Sequence, residues 1–296
     1  MSGFESPRRH GRFEERPITD RALAPWPGGR RLAVYVALNL EQYAFGEGRV
    51  EDLCPGIPPP DVLNDSWREY GNRVGAWRLA DEFERLGWPP TLLVNSALYL
   101  TWPGLPARFR AMGAEIAAHG RTNAEHQAGL DEATERALIA HVTGEIAARE
   151  GVPPAGWLSP WIAETERTPD LLHEAGYRYL LDWCMDDQPV WLRTRGGRIL
   201  SVPYPQELND SAAIIGRRVD AHDFATMVID QFDEMRAQAE AGTPLVMGIA
   251  LHAMIVGQPF RLRALRRALE HVAAHRDRCW LTNAGAIAAA AAQTAA

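Results

Sequence analysis

The chain has 296 residues and no lysine; its Lys plus Arg count of 31 is arginine alone. We read that bias as GC-rich coding rather than function. The net charge of −7 argues against general nucleic-acid binding, which needs a basic face. Cysteine is scarce. Cys54, Cys184 and Cys279 are widely spaced with no CxxC pair, which excludes a disulfide framework and predicts reduced thiols in a cytoplasm. No window approaches the roughly 18 apolar residues of a membrane-spanning helix. The opening "MSGFESPRRHGRFEERPITDR" lacks the apolar core of a secretion signal. What remains, with 46% hydrophobic and 23% charged residues, is the composition of a soluble globular enzyme.

Residues 1–30 are Pro- and Arg-rich without a period and read as an arm lying over the surface or touching another subunit, hence a homo-oligomer. From residue 31 short β-type runs alternate with amphipathic stretches. The expected strands are 31–38, 90–96, 114–119, 154–159, 177–183, 198–204, 244–252 and 279–282. Between them, "RVGAWRLADEFERLG" and "LDEATERALIAHVTGEIAAREG" are helices closed by Gly, and "TPDLLHEAG" opens on a cap and a helix-start proline. Alternation of this kind implies βαβ units and a parallel sheet. Seven or eight units without a linker favour an α/β fold of one closed barrel domain, residues 31–285. The Ala-rich end, "AGAIAAAAAQTAA", is expected as a final helix with a frayed tail, with residues 286–296 set apart from the barrel domain as the tail. Residues 48–73 are too long for a plain turn and read as a lid or binding loop.

In such a barrel the active site lies at the carboxyl ends of the strands. The first strand ends in Asn39 and Glu41, another in His119 and Asn123, another in Ser159 and Trp161. "LLDWCMDDQPVW" supplies Asp182, Trp183, Asp186 and Asp187, "VPYPQELND" supplies Tyr204, Glu207, Asn209 and Asp210, and "VMGIALHAM" ends in His252. One carboxylate and two histidines at different strand ends can serve as base, acid and charge stabiliser. Each has a plainer reading. A lone strand-end histidine such as His252 is more often a hydrogen-bonded structural residue. The tryptophans can be core, Asp186 sits in what reads as a solvated turn, and His126 reads as solvent-facing. Cys184 would need a base partner to act as a nucleophile.

The motifs "LNLEQY", "WREYGNRVGAWRL", "EIAAHGRTN", "GWLSPW", "DWCMDDQPVW", "VPYPQELND" and "IALHAMIVGQPFRLRAL", in this order, resemble the polysaccharide deacetylase superfamily, the carbohydrate esterases related to the nodulation-factor deacetylase. The resemblance spans residues 30 to 285. Within it, "EYGNRVGAWR" and "GIALH…GQPFR" resemble the cofactor-independent, allantoinase-like branch of cyclic-amide hydrolases. It implies a distorted barrel of about seven β/α units and hydrolysis of non-peptide C–N bonds. Metal-dependent members carry an Asp pair after the first strand and His-x-x-x-His after a later one. Here the positions read Asn39-Leu-Glu41 and His119-Gly-Arg-Thr-Asn123, leaving Glu41, His119 and the poor ligand Asn123 for a metal.

The expected reaction is opening of a small cyclic ureide or imide without a cofactor, with zinc as the alternative. Glu41, His119 and His252 are the expected acid–base groups. Asn39, Asn123, Asn209, Ser159 and Asp187 are candidates to bind the substrate, the amides because they both donate and accept. Arg73 is a forked donor for an oxygen, and Trp161 with Trp183 is a sandwich for a flat ring. A metal-dependent N-deacetylase of an N-acetylated sugar or amine, and a non-catalytic ligand-binding relative, stay open as alternatives.

Overall fold

Alternating residues of the first strand face two different cores, and the whole architecture follows from that division. In the computed structural model, which describes residues 8–48 and 51–294, the strands are β1 (Leu32–Leu40), β2 (Thr91–Val94), β3 (Glu115–Ala118), β4 (Gly156–Trp157), β5 (Tyr179–Leu180), β6 (Val190–Thr194), β7 (Gly197–Ser201), β8 (Leu245–His252) and β9 (Trp280–Thr282). They form one sheet in the order β6-β7-β5-β4-β3-β2-β1-β8, with β9 alongside β1. The first residues of the arm, Arg49 and Val50 of the long segment and the end of the Ala-rich tail lie outside the described residues. The final helix, Ala284–Thr294, forms as expected and buries Ala284, Ile287, Ala288 and Ala291.

On β1, Leu32, Val34, Val36, Leu38 and Leu40 pack against the surrounding helices. Ala33, Tyr35 and Ala37 point inward, with Leu93, Ala117, Leu158, Tyr179, Leu200 and Ala250. The period of two in a strand makes this separation automatic. The expected α/β barrel of parallel strands covered by helices forms as a curled, mostly parallel sheet, with two differences. The strand β6 was not expected. "PVWLRT" turns through Arg195 and Gly196 and pairs antiparallel with β7, Val190 opposite Ser201. The ring is also not closed by a continuous ladder. Between β8 and the other edge, Val246 N–H donates to the Asp187 carbonyl (2.8 Å) and Ala250 N–H to that of Leu208 (2.9 Å). Loop backbone bridges the seam.

Residues 48–73 are also not a single loop. Asp61 caps a helix, Val62–Tyr70, by accepting from Asn64 N–H. That helix continues through a π-type turn, Gly71–Gly75, into a second, Ala76–Leu86. The π turn follows from contact with the segment after β8. A Cβ on Gly71 would stand 2.8 Å from Met254 N, and one on Gly75 would stand 2.1 Å from the Ala253 carbonyl oxygen. Gly257 meets the same contact from the other side, where an added Cβ would stand 2.4 Å from Gly75 Cα. Backbone packed on backbone leaves no room for a side chain. Gly75→Ala should therefore destabilise the fold by about 1–3 kcal/mol, seen as a lower urea midpoint; an unchanged midpoint would show that the contact relaxes freely.

Candidate active site

The inward row of β1 does not stop at Ala37. It continues with Asn39 and then Glu41, just past the strand end. The register sets their neighbours. Asn39 pairs with His252 of β8. Leu40 is level with Val94, Val94 with Ala118, and Ala118 with Trp157. One residue further on, Glu41, Asn95, His119 and Leu158 therefore sit side by side at the carboxyl end of the sheet. Asn95 fastens this rim. Its Oδ1 accepts from Gln42 N–H (2.8 Å), and its Nδ2 donates to the His119 carbonyl.

Glu41 is 7% exposed, His119 2% and His252 4%. Glu41 Oε1 lies 3.5 Å from His119 Nε2 and 3.6 Å from His252 Nε2. His119 Nδ1 is 2.8 Å from the Leu158 carbonyl. A carbonyl only accepts, so Nδ1 carries the proton and Nε2 faces Glu41. His252 is held by Asp210, whose Oδ1 is 2.6 Å from Nδ1 and whose Oδ2 accepts from the His252 N–H at 2.8 Å. Burial disfavours the His252 cation, but the charges of Asp210 and Glu41 outweigh it and raise its pKa to about 10. Burial by itself would raise the Glu41 carboxyl; the His252 charge, with His119 and the Tyr43 hydroxyl, takes it below the ordinary value. The result is an ionised carboxylate beside an imidazolium.

A second carboxyl is present that sequence reasoning missed. Tyr43 Oη lies 2.9 Å from Glu41 Oε2 and 2.5 Å from Glu51 Oε2. Asn123 Nδ2 donates to the same oxygen at 2.6 Å. Tyr43 stood inside the motif "LNLEQY"; Glu51 gave no signal, because nothing in "RVEDLC" distinguishes it from a solvated loop residue. Asn72 was missed as well, and its Nδ2 donates to the Glu41 carbonyl at 2.8 Å.

Glu41, Glu51, His119 and His252 line a cavity of about 360 Å³ with Asn39, Asn123, Trp161, Tyr204, Asn209 and Ser211. Leu158, Ile162 and Ile215 supply its apolar wall. Larger hollows exist, one of about 740 Å³ under the arm, but none of the buried acid–base groups lines it. Four of the residues expected to bind substrate are elsewhere. Arg73 is exposed and stacks on Trp102 at 5.7 Å, because the π turn aims its neighbour Asn72 inward instead. Ser159 is buried behind the wall, its N–H donating to Asp182 and its Oγ accepting from Trp157. Trp183 turns away to bond Glu164 at 2.8 Å and pack against His10 and Phe13 of the arm. Asp187 lines a separate hollow beyond Tyr204. The proposed sandwich of two tryptophans is thus reduced to Trp161. Cys184 is exposed, and partial burial of its thiol raises the pKa to about 11, which is unhelpful to a nucleophile.

A catalytic metal asks more of the donor set. Among the described residues no three His, Cys, Asp or Glu side chains are arranged to hold one. Of the candidate ligands, Glu41 and His119 are strong donors, while Asn123 turns its nitrogen to Tyr43. His252 gives its Nδ1 side to Asp210 and turns Nε2 to Glu41 as its acid partner. The set falls short of the three strong ligands that a catalytic zinc takes.

No family model matches the chain. A Schizosaccharomyces pombe protein provisionally named a polysaccharide deacetylase is 25% identical over 312 residues, covering 94% of this chain and 97% of its own. The structure of PuuE allantoinase is 27% identical, covers 97% of each chain and superposes with a TM-score of 0.79. A Pseudomonas aeruginosa protein provisionally named a polysaccharide deacetylase is 27% identical, with 89% of this chain and 92% of its own covered and a TM-score of 0.78. The resemblance to the polysaccharide deacetylase superfamily, its allantoinase-like branch included, is therefore carried by sequence and fold along nearly the whole chain.

The Asp210–His252 pair generates a direct expectation. The aspartate charge stabilises the imidazolium, so its removal must lower the histidine pKa. In Asp210→Asn the His252 titration should fall from about 10 toward the ordinary histidine range, followed by the imidazole NMR shifts. An unmoved titration would show that Asp210 does not hold the charge.

Proposed function

We propose that this chain hydrolyses a C–N bond of a small cyclic amide, a ureide or imide ring, without a catalytic metal. The observation that carries the proposal is the Glu41 carboxylate set between the Nε2 atoms of His119 and His252 at the mouth of a small cavity. The similarity to PuuE allantoinase supports the substrate class, and the cavity volume, at the lower end for small-ligand sites, suits one ring rather than a chain. Trp161 offers a flat face to the ring. Asn39, Asn123 and Asn209 place amide groups around it, as a substrate with both C=O and N–H edges requires.

In this reading Glu41 takes a proton from water as the oxygen attacks the ring carbonyl. His119, tied through Nδ1 to Leu158, presents Nε2 to the same water and orients it. The C–N bond then breaks, and the His252 imidazolium delivers its Nε2 proton to the leaving nitrogen. The proton on Glu41 returns to His252, and the site is reset. Asp210 ensures that His252 starts as the acid. Activation by a carboxylate is weaker than activation by a metal, which favours an activated ring over a plain acetamide.

A metal-dependent N-deacetylase is the second reading, favoured by the names of two of the relatives. Ring opening of allantoin, hydantoin and succinimide, measured as loss of ring absorbance, separates the two. We expect turnover of at least one ring that survives incubation with a strong chelator. Turnover lost on chelation and restored by zinc would overturn the metal-free mechanism. Glu41→Gln, which keeps the shape and removes the base, should lower kcat by roughly 10²–10⁴-fold; near-normal turnover would exclude Glu41 from the chemistry.

A further inference from the structure

Tyr43 Oη has more neighbours than its one proton can serve. Three polar atoms lie within hydrogen-bond reach: Glu41 Oε2, Glu51 Oε2 and Asn123 Nδ2. A phenol donates once and accepts through its lone pairs. Asn123 donates. One carboxyl can accept the Tyr43 proton, so the other must itself donate. Reversing the Asn123 amide would leave Tyr43 needing two donors, and both carboxyls would then carry protons. On either assignment at least one carboxyl at Tyr43 is an acid.

The surroundings decide which one. Glu41 Oε1 faces two imidazoles, one of them a cation, and Asn72 anchors its backbone carbonyl. Among the described residues Glu51 bonds only neutral hydroxyls, with Ser211 Oγ donating to Oε1 at 2.9 Å and Tyr43 on Oε2. It is buried, it lines the cavity, and its backbone sits at φ 53, in the left-handed region. Such conformations persist where the surrounding structure holds them and cluster at functional sites.

We propose that Glu51 is a positioning residue that acts as a neutral carboxylic acid: it donates to Tyr43, and so fixes a hydrogen-bonded chain from Ser211 through Glu51 and Tyr43 to the Glu41 carboxylate. The direction of that chain is what matters. With Glu51 protonated, the Tyr43 proton is committed to Glu41 Oε2. Oε1 is then the free oxygen, and it faces the two histidines. Were Glu51 ionised, it would compete for the Tyr43 proton, and Glu41 would lose its donor and gain a like charge nearby. Burial, and then the charge of Glu41, raise the Glu51 carboxyl. The same causes keep the Tyr43 phenol protonated. The positioning role rests on Glu41 being the base, as proposed above; the protonation of Glu51 does not.

Glutamine tests this directly, because its carboxamide reproduces the neutral acid: an oxygen for Ser211 and an N–H for Tyr43. Infrared difference spectra at pH 7 between the parent and Glu51→Gln need no substrate. They should show the loss of one protonated-carboxyl carbonyl band; absence of that band would overturn the proposal whatever the enzyme acts on. With whichever of allantoin, hydantoin and succinimide the protein opens, Glu51→Gln should keep kcat within about threefold. Glu51→Leu and Tyr43→Phe should each lower kcat by about 10–100-fold, the scale of one hydrogen bond to a charged group, with KM little changed. A Gln variant as impaired as the Leu variant would mean that the Glu51 charge is needed, and would also overturn it. Should Glu51→Leu fail to fold, the Gln and Phe variants and the infrared measurement still decide.

Discussion

A carboxylate taken out of water must be balanced, and the balancing of Glu41 organises the mouth of this barrel. Moving an ionised group into a low-dielectric interior is costly unless it is paired and hydrogen-bonded. Glu41 is served from four parts of the chain. His252 comes from the end of β8, His119 from the end of β3, Tyr43 from its own loop, and Asn72 from the π turn at the backbone carbonyl. His252 in turn needs Asp210, which is buried and meets the His252 backbone N–H and Nδ1 with one oxygen each. Each partner is held by something that is not itself chemical. The glycine contact between Gly75 and Gly257 brings the π turn up to the segment after β8. The Asn209–Ala250 bridge places Asp210 against His252 across the seam. The seam is thus a working part of the fold: a regular ladder there would leave no loop to carry Asp210.

The parts legible in the sequence were those set by the period of two. Asn39 and Glu41 continue the inward row Ala33, Tyr35, Ala37, and the rule that sites lie at carboxyl strand ends carried His119 and His252 to the same place. All eight expected strands form, although β4 and β5 are pared to two residues each. What failed to be legible depends on phase or on distant partners. Arg73 and Asn72 are adjacent letters, and only the π turn decides which faces the site. Trp183 was assigned to the cavity by proximity to a strand end, but Glu164 and the arm claim it. The helix Val62–Tyr70 was hidden because its charged and polar face reads like a loop, and its Asp61 cap lies behind a run of prolines. Glu51 could not be seen at all. Its importance comes from Tyr43 and Ser211, 8 and 160 residues away.

The charges assembled at the site bear on the type of reaction it suits. Asp210 and Glu41 flank the His252 cation, and in the reaction proposed above a neutral substrate and water enter. When water gives its proton to Glu41, the carboxylate is neutralised as the oxyanion forms on the ring. No net charge is created; negative charge moves from Glu41 to the substrate oxygen. A buried, preorganised site suits such a step, because fixed charges need not reorganise as the reaction proceeds. In that proposal His252 then supplies the proton the leaving nitrogen requires, and its field, which stabilised Glu41 in the resting state, acts on the new anion instead. A further ionised carboxyl at Glu51 would oppose that transfer, since it would repel the oxyanion in the same cavity. The requirement that Tyr43 has only one proton to give and the requirement that the site tolerate a new negative charge therefore lead to the same protonation state.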